Sequence, residues 1–518
     1  MLRLRLLRRS FSSQPLAALQ QPQPSVAEDI GQPSPSTHPH LLLPGELTPG
    51  IAAAEYAARR AALFARLPDD SLVVLPSAPE LFFSGTQIPV PSAYRQHSDL
   101  FYLTGLAQPD CVAVLSTGRG GAGRRFALAV PPFDSRHRAW HGPRVDAAAA
   151  VSFFGADEAV ETPRLSELFR SRLRGAQHVF ADAPLPLHLS SALGGASSPT
   201  HAALQPGGAA AVVAPLRWRK SRAEVALLRA SAVLSAAGLR CAAGAADPER
   251  PFWSGGCSSG RWGGALARTE AHPAAAHEAR IRAGGAARLA YPTVSAAGRS
   301  GVGIHHGRYD AELSRGDTFL MDAGCELHGY VSDVTRTWPM SRRFSAPQRA
   351  LYEAVREAHG AALAAARPGV SPASLHAASV AALSSSIAAL GLAPGMGGAA
   401  VAATGAYFRF YPHALSHWLG LDTHDTPSIS GSSPLVAGNV ITIEPGLYVP
   451  HGSAGVPPQF WGLAVRIEDD VLITETGCEV LSASAPVDAT HVEDWAEDAR
   501  GEAREADAKA GGARGGKR

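Results

Sequence analysis

The stretch TFLMDAGCELHGYVSDVTRTW (residues 318–338) decides the fold of the second half of this chain. Two apolar runs within it, 318–324 and 329–338, have the length and composition of β-strands, and a short turn joins them. In a pair of antiparallel strands, alternation turns every second side chain of each strand toward a common face. Asp322 and Asp333 can therefore meet on one side of the pair.

The acids in these apolar runs need a partner, because burial of an unpaired carboxylate costs several kcal/mol. Asp322 follows the apolar residues FLM, and Glu444 has apolar neighbours on both sides in ITIEPGLYV (441–449). Taken singly, each Asp is more often a turn or surface residue than a ligand. Glu468, in RIEDDV, taken singly fits a solvated charged loop.

Three histidines lie within twelve positions of one another. His417 and His424 belong to SHWLGLDTHD (416–425), and His413 comes four residues before His417. One histidine alone is more often a hydrogen-bonded polar residue than a ligand, but a cluster of three favours a site.

The acids and one imidazole make a hard, oxygen-rich donor set that suits two divalent cations of the Mn, Mg, Zn or Co type. The five candidate ligands are Asp322, Asp333, His417, Glu444 and Glu468.

Length, composition and charge limit the classes of protein to which this chain can belong. A length of 518 residues fits two domains with tails, and a hydrophobic content of 46% is ample for two cores. The net charge of +2 gives no electrostatic case for nucleic-acid binding. The five cysteines lack CxxC spacing, which favours a reducing compartment and argues against a disulfide scaffold or a zinc finger. The least charged long stretch, 375–407, is too weakly hydrophobic to span a bilayer, so we expect a soluble protein.

The N-terminal sequence MLRLRLLRRSFSSQPLAALQQPQP (1–24) has the composition of an organelle transit peptide. Arginines lie among leucines, serines follow, and the first acidic residue is Glu28. We expect import into the mitochondrial matrix, with the plastid as an alternative. A basic tail without a role is the third alternative.

Strand-like runs alternate with helical patterns, which predicts an α/β (α+β) protein. A helix capped by Thr48, with Pro49 at its first position, opens the first domain, and two helices are expected at 346–366 and 373–390. We predict four parts: a transit peptide and disordered linker (1–44), a first α/β domain (45–215), a second domain (216–493) and a disordered tail (494–518).

The second domain closely resembles the pita-bread (M24-type) metallopeptidases, and within them the aminopeptidase P branch and its mitochondrial intermediate-cleaving members. Five motifs extend the resemblance beyond the 318–338 stretch, and four others place the first domain in the same branch. The resemblance covers about 45–240 and 279–485, and it implies an aminopeptidase P-type N-terminal domain before a pita-bread catalytic domain. The matching motifs are SHWLGLDTHD, ITIEPGLYV, RIEDDVLITETG, RLAYPTV and GIHH, then TPG, EYAARR, YRQHSD and FYLTGL.

Residues 244–286 depart from the family pattern. They carry many glycines, three prolines and the string PFWSGGCSSGRWGG (251–264), and no helix or strand period is visible before Ala287. Relatives have a regular, acidic helix-turn-helix there. We consider a lineage-specific surface insertion and a mis-joined gene segment, and we favour the second. None of the candidate ligands lies in this stretch.

The resemblance implies a dinuclear metal site. Asp322 would chelate one ion, Asp333 and Glu468 would bridge both, and His417 and Glu444 would complete the other. Water or hydroxide held between the ions would attack the scissile carbonyl. Two divalent ions are expected, with Mn²⁺ favoured, although Co, Zn and Fe suit the same ligands.

Further roles follow from the same resemblance. His424 would stabilise the tetrahedral intermediate, while His305 and His413 would handle protons and position the substrate. Arg466 would orient carboxylates from outside the ligand set. His306 stands where relatives often carry tyrosine, which leaves open which of His305 and His306 is functional.

The implied activity is metal-dependent removal of one N-terminal residue from peptides or imported precursor proteins. Two substrate classes compete: Xaa-Pro bonds, and a bulky residue exposed by presequence removal, which the transit peptide favours. Phe11, between Ser10 and Ser12, suggests that the protein trims its own N-terminus. A prolidase-like dipeptidase and a non-catalytic pita-bread binding protein are the alternatives. Peptide or protein N-termini are the expected partners, with no nucleic acid and no membrane, and a homo-oligomer is left open.

Overall fold

The computed structural model describes residues 29–82, 94–121, 123–182, 204–250, 252–253 and 265–515. The predicted transit peptide up to residue 28, including Phe11, lies outside the described residues. Most of the string PFWSGGCSSGRWGG does as well.

A mixed sheet forms the centre of the first half. Its strand SLVVLP (71–76) alternates between two buried layers: Val73 and Leu75 pack in one apolar cluster, and Leu72 and Val74 in the other. Such a strand needs cover on both faces, and helices supply it. The strands of this half are β1 (Glu46–Thr48), β2 (Ile51–Ala52), β3 (Ser71–Pro76), β4 (Val112–Ser116), β5 (Arg125–Val130), β6 (Glu158–Glu161) and β7 (His178–Ala181). The helices are α1 (Ala53–Arg66), α2 (Ser98–Thr104), α3 (Ser135–His141), α4 (Ala147–Ser152), α5 (Leu165–Leu173) and α6 (Ala210–Arg217). The sheet runs in the order β6-β5-β4-β3-β7.

Residues 29–44 differ from the predicted disordered linker, since they pack against the first half. The side-chain amide of Gln32 donates to the Gly105 carbonyl and accepts from the Ala107 amide. Leu42 is buried. These contacts order residues 29–44, although the polar composition of the segment predicted disorder.

The first helix begins at Ala53 and not at Thr48. Thr48 ends β1, which pairs with β2, and Gly50 turns the chain between them with a φ of 80°. The Thr48 hydroxyl therefore does not cap a helix but lies 2.7 Å from the Tyr56 hydroxyl.

The second half alternates helices with short antiparallel strand pairs. Its strands are β8 (Phe252–Trp253), β9 (Ala265–Leu266), β10 (Arg288–Leu289), β11 (Val294–Ala297), β12 (Thr318–Ala323), β13 (Cys325–Leu327), β14 (Tyr330–Val331), β15 (Val334–Pro339), β16 (Val440–Ile443), β17 (Gly446–Tyr448), β18 (Ala464–Arg466), β19 (Asp469–Ile473) and β20 (Cys478–Val480). Its helices are α7 (Arg222–Ala245), α8 (Ala271–Ala283), α9 (Ala346–Ala365), α10 (Pro372–Ala389), α11 (Gly398–Thr404) and α12 (Ala489–Gly515). The helices predicted at 346–366 and 373–390 are confirmed as α9 and α10.

The predicted strand pair in 318–338 is present, with an extra hairpin inside it. β12 pairs antiparallel with β15, which places Asp322 opposite Thr335, while β13 and β14 form the hairpin between them. The largest apolar cluster lies under this pair and includes residues from α7, α9, α10 and α12. The helices thus support the strands from one side.

The prediction that 244–286 lacks regular structure is wrong for residues 271–283, which form α8. This helix packs along α7, and its buried residues are Pro273, His277 and Ile281. Its sequence, AHPAAAHEARIRA, has few large apolar residues, so it carries no clear helical period. The helix-turn-helix expected from relatives therefore has its second helix here.

The segment predicted as a disordered tail from 494 is helical as far as residue 515, in α12. Val492, Ala496 and Ala499 join the main apolar cluster. Arg504 reaches back to Asp247 at 2.6 Å. The charged, Gly/Ala-rich sequence of this segment gives no sign of that docking.

Among the described residues, one helix, α7, is long and apolar enough by composition to cross a membrane, with a mean hydropathy of 1.4. Half of that stretch is buried inside the fold. Core helices pass the same test.

Candidate metal centre

Breaks between strands place the candidate acids. Glu444 and Pro445 separate β16 from β17, and opposite them Ile467 and Glu468 separate β18 from β19. Pro445 has no amide hydrogen to donate to a ladder, so the pairing ends there. Asp333 immediately precedes β15. Asp333, Glu444 and Glu468 therefore lie at the ends of the apolar ladders, whereas Asp322 lies within β12 opposite Thr335.

Asp333, His417 and Glu468 form the tightest group. One ligand atom from each lies within 4.8 Å of the other two. His417 Nε2 is 3.4 Å from Asp333 Oδ2 and 3.6 Å from Glu444 Oε1. The His417 imidazole therefore lies within ion-pair distance of both Asp333 and Glu444.

Asp322 joins the group through Tyr291. The Tyr291 hydroxyl lies within hydrogen-bond distance of Asp322 Oδ1 and of Asp333 Oδ1. A phenol has one proton, so Tyr291 donates a hydrogen bond to only one of the two carboxylates at a time. Both carboxylates nevertheless lie next to the same hydroxyl and are therefore close together. Arg466 Nη2 donates to the other Asp322 oxygen at 2.6 Å. The structure thus brings all five predicted ligands to one place.

Negative charge exceeds positive charge in this cluster. Burial, reinforced by Asp333 and opposed by His417, raises the pKa of Glu444 to about 8. Burial and the charges of Asp333 and Glu444 raise the pKa of Glu468 well above its ordinary range. Burial disfavours the imidazolium of His417, but Asp333 and Glu444 outweigh it and raise its pKa to about 9. Each shift is that expected of acids crowded together without enough cations.

The other predicted histidines border the cluster. The His424 ring lies 4.4 Å from the His417 ring between centroids. His413 Nδ1 is 3.7 Å from Glu444 Oε2, and its Nε2 is 2.9 Å from the Tyr448 hydroxyl. Burial lowers the pKa of His413 to about 4, and the charges of Arg466, His376 and His305 contribute in that order. His305 itself is exposed on a turn.

His306 contacts a buried acid away from the candidate ligands. His306 Nε2 lies 3.0 Å from Glu270, a fully buried carboxylate at the start of α8. Glu270 also accepts from the Ala297 amide. His306 is therefore engaged with the wall of the fold, and His305 is the one whose charge contributes to lowering the pKa of both His413 and His424.

Comparison with known proteins agrees with this arrangement. The family model for metallopeptidase family M24 matches residues 226–475, and that for the aminopeptidase P N-terminal domain matches 56–180. The chain is 36% identical to Arabidopsis thaliana intermediate cleaving peptidase 55, mitochondrial, over 90% of this chain and 88% of that protein. It is 34% identical to human Xaa-Pro aminopeptidase 3 over 90% of each. An Escherichia coli aminopeptidase P structure superposes with a TM-score of 0.77 at 30% identity, covering 87% of this chain and 99% of that one.

The chain belongs to metallopeptidase family M24, in its aminopeptidase P branch. The family resemblance of the motifs and the pita-bread fold are both confirmed. The chain is therefore a metal-dependent aminopeptidase.

The chemistry of the five candidate ligands suits divalent cations. Carboxylate oxygens and one imidazole are hard-to-intermediate ligands, and the surplus of buried negative charge is what cations would neutralise. A ligating imidazole must be neutral, so cation binding would displace the proton from His417. One structure of E. coli aminopeptidase P is a zinc-substituted form in complex with product.

Sequence reasoning missed the residues that support the M24 ligands. Thr335 Oγ1 donates to Glu468 Oε2 at 2.6 Å, and Thr442 Oγ1 lies 3.4 Å from Glu444 Oε1. Each threonine is two positions from a candidate acid, so strand alternation carried a signal for both. Tyr291 is 31 positions from Asp322, and no local pattern indicates it.

Proposed function

We propose that the five candidate ligands hold two divalent cations, with Mn²⁺ favoured, and that the site removes one residue from the N-terminus of a peptide or an imported precursor. The supporting observation is the convergence of Asp333, His417 and Glu468, with ligand atoms within 4.8 Å. Asp333 and Glu468 would bridge the ions, Asp322 would bind one, and His417 and Glu444 the other. Bound cations would acidify a water molecule and polarise the scissile carbonyl.

The remaining residues suit proton transfer and charge stabilisation. Glu444 lies within 4 Å of both His413 and His417, so it can accept a proton and pass it to the departing amine. His424 is exposed beside His417 and can donate to an oxyanion. His305 would position the substrate. Arg466 would hold Asp322 and, through Tyr448, the ring of His413.

For the substrate, we favour a bulky N-terminal residue on an imported precursor over an Xaa-Pro bond. The arginine-rich, acid-poor N-terminus supports import into the mitochondrion, with the plastid as the alternative. The name of the Arabidopsis relative supports the same compartment. The human relative is named for Xaa-Pro cleavage, so that specificity is the second candidate.

A peptide series tests this proposal. Matched di- to decapeptides would carry Phe, Tyr or Ala at position one and either Pro or Ser at position two, with metal added. We expect faster release of Phe and Tyr before Ser. A preference for Pro at position two would select the Xaa-Pro activity. Cleavage of dipeptides alone would select a prolidase, and no cleavage with any metal would contradict the proposal.

Glu444→Gln is the matching variant. It keeps the size and hydrogen-bonding capacity of the side chain but removes its charge, so we expect kcat to fall roughly 10²–10⁴-fold with the fold retained. Glu475→Gln alters an exposed acid beyond β19 and should leave kcat unchanged. Equal activity of both variants would remove Glu444 from the mechanism.

We also propose that the protein trims its own presequence, by a first cut after Ser10 and removal of Phe11. Sequencing the N-terminus of the mature protein, from wild type and from Glu444→Gln, tests this. We expect Ser12 in the first and Phe11 in the second. A mature terminus far from Ser12 would reject it.

A further inference from the structure

The loop at residues 419–426 carries His424 to the metal centre. It begins two residues after His417, and the rings of His417 and His424 lie 4.4 Å apart between centroids. The Asp425 amide donates to the Trp418 carbonyl at 2.9 Å, which closes the loop, and Thr426 holds a φ of 46° that few non-glycine residues adopt. A backbone in that region persists only when its surroundings hold it.

An inner ion pair holds the far end of this loop. Asp425 is buried and contacts Arg217 Nη2. Its second oxygen lies 3.2 Å from Lys220 Nζ, which is also buried. Arg217 and Lys220 lie between the segments matched by the two family models, at the junction of the two halves.

An outer set of contacts comes from the first half of the chain. Asp422 Oδ1 accepts from Arg95 Nη2 at 2.9 Å and from Ser98 Oγ at 2.7 Å. Arg95 Nη2 also donates to the Leu421 carbonyl at 2.6 Å. The first half therefore holds both the backbone and a side chain of the loop.

Arg95 and Arg217 are themselves fixed by other acids. Arg95 Nε donates to Glu326 in β13 at 2.7 Å, and Arg217 Nη1 donates to Asp99 in α2 at 2.7 Å. Burial opposes ionisation of Asp422, but Arg217 and Arg95 outweigh it and lower its pKa to about 2. These paired charges have little freedom to rearrange, so a shift of α2 would shift the loop.

We propose that Arg95 and Ser98 are positioning residues for His424, and that the first half of the chain thereby sets the geometry of the metal centre's substrate side. This inference rests on the proposed aminopeptidase activity. Neither side chain is among the candidate ligands or their direct partners. Their effect on catalysis should pass through His424 alone.

Arg95→Ala and Ser98→Ala test this in the full-length, metal-loaded enzyme. We expect Arg95→Ala to lower kcat at least tenfold and Ser98→Ala several-fold, with bound metal per chain unchanged. Arg172→Ala is the matched control, because Arg172 is a partly exposed arginine of the first half that pairs with Glu158 and does not contact the loop. It should leave kcat within twofold of wild type.

A double-mutant cycle separates positioning from general destabilisation. In a His424→Ala background, measured under single-turnover conditions at high enzyme concentration, Arg95→Ala should lower the rate less than twofold further. The same loss in both backgrounds would overturn the proposal, as would unchanged kcat in both Arg95→Ala and Ser98→Ala. If Arg95→Ala does not fold, Ser98→Ala carries the cycle, since it removes only a short hydrogen bond to Asp422 and a long one from Arg95 and strands no buried charge. Wild type without activity would instead contradict the proposed function.

Discussion

At the scale of single residues, the metal centre depends on hydroxyls that hold its acids in place. Thr335 donates to Glu468 and accepts from Arg466 Nε at 3.1 Å. It thereby fixes both an acid that we propose as a bridging ligand and the arginine that holds Asp322. Groups in such positions orient ligands and tune their basicity.

Thr335→Val should weaken metal binding about 10–100-fold, because Glu468 loses the donor that orients it. Calorimetric titration of the metal-free protein with Mn²⁺ measures the metal affinity. Thr337→Val is the matched control: Thr337 lies on the same strand, is fully buried and bonds only the backbone of Arg466. It should lower stability by about 1 kcal/mol and leave metal affinity unchanged. Equal losses of affinity in both variants would contradict the role of Thr335.

At the scale of elements, the close packing of α7 and α8 depends on one glycine. A Cβ on Gly238 would lie 2.5 Å from Cδ2 of His277, closer than any real contact. His277 is fully buried, and neither of its ring nitrogens has a hydrogen-bond partner among the described residues. The helix pair therefore has a steric constraint and an unsatisfied polar group at the same point.

Gly238→Ala should destabilise the protein by about 1–3 kcal/mol, because the added methyl forces the helices apart. Gly360→Ala is the control, since Gly360 lies inside α9 with nothing within 4 Å of the added carbon. It should stabilise by about 0.5–1 kcal/mol, the usual gain for alanine over glycine in a helix. Denaturant unfolding measures both. A stabilising Gly238→Ala would mean that α7 and α8 lie farther apart.

His277 predicts a pH-dependent loss of stability. Burial lowers its pKa from 6.5 to about 4, so below pH 6.5 the unfolded chain binds a proton that the folded chain excludes. Stability should therefore fall from pH 6.5 toward pH 4, and this group adds no dependence above that range. Relative to His277→Leu, the wild type should lose about 2 kcal/mol between pH 7.5 and pH 5. A difference between the two proteins that stays constant with pH would contradict this.

At the scale of the whole molecule, the two halves share a core. One apolar cluster contains Leu103 and Val73 from the first half and Val331, Leu419 and Val440 from the second. Arg59, buried in α1, lies 3.3 Å from the Tyr330 hydroxyl and 3.6 Å from Glu224. Such an interface favours unfolding of both halves as one unit.

Arg59→Met should lower the free energy of unfolding by about 3–5 kcal/mol, because it leaves Glu224 buried without its cation. Hydrogen exchange should show β3 and β12 losing protection together in both wild type and variant. Arg164→Met, which breaks an exposed pair with Glu167, should change stability by less than about 1 kcal/mol. Separate loss of protection in the two strands would show that the halves unfold independently.

Much of the fold could be predicted from local pattern. Period and composition predict the strands around Asp322 and Asp333. They also predict helices α9 and α10. They do not predict helix α8, because its buried face is only Pro273, His277 and Ile281, and its contact with α7 is set by Gly238. The docking of α12 was also missed, because its sequence is charged and Gly/Ala-rich and its buried face of Val492, Ala496 and Ala499 is small.

The sequence by itself determined which acids sit in apolar strands and which motifs they share with M24 proteins. Those features follow from the two-residue period of a strand and from residues within a few positions of one another. Only the tertiary structure decided that Tyr291 joins Asp322 to Asp333, that His306 turns to Glu270, and that Arg95 reaches the loop of His424. The physical reason is that these contacts join segments up to 327 positions apart, and packing of whole elements, not local backbone preference, brings such segments together.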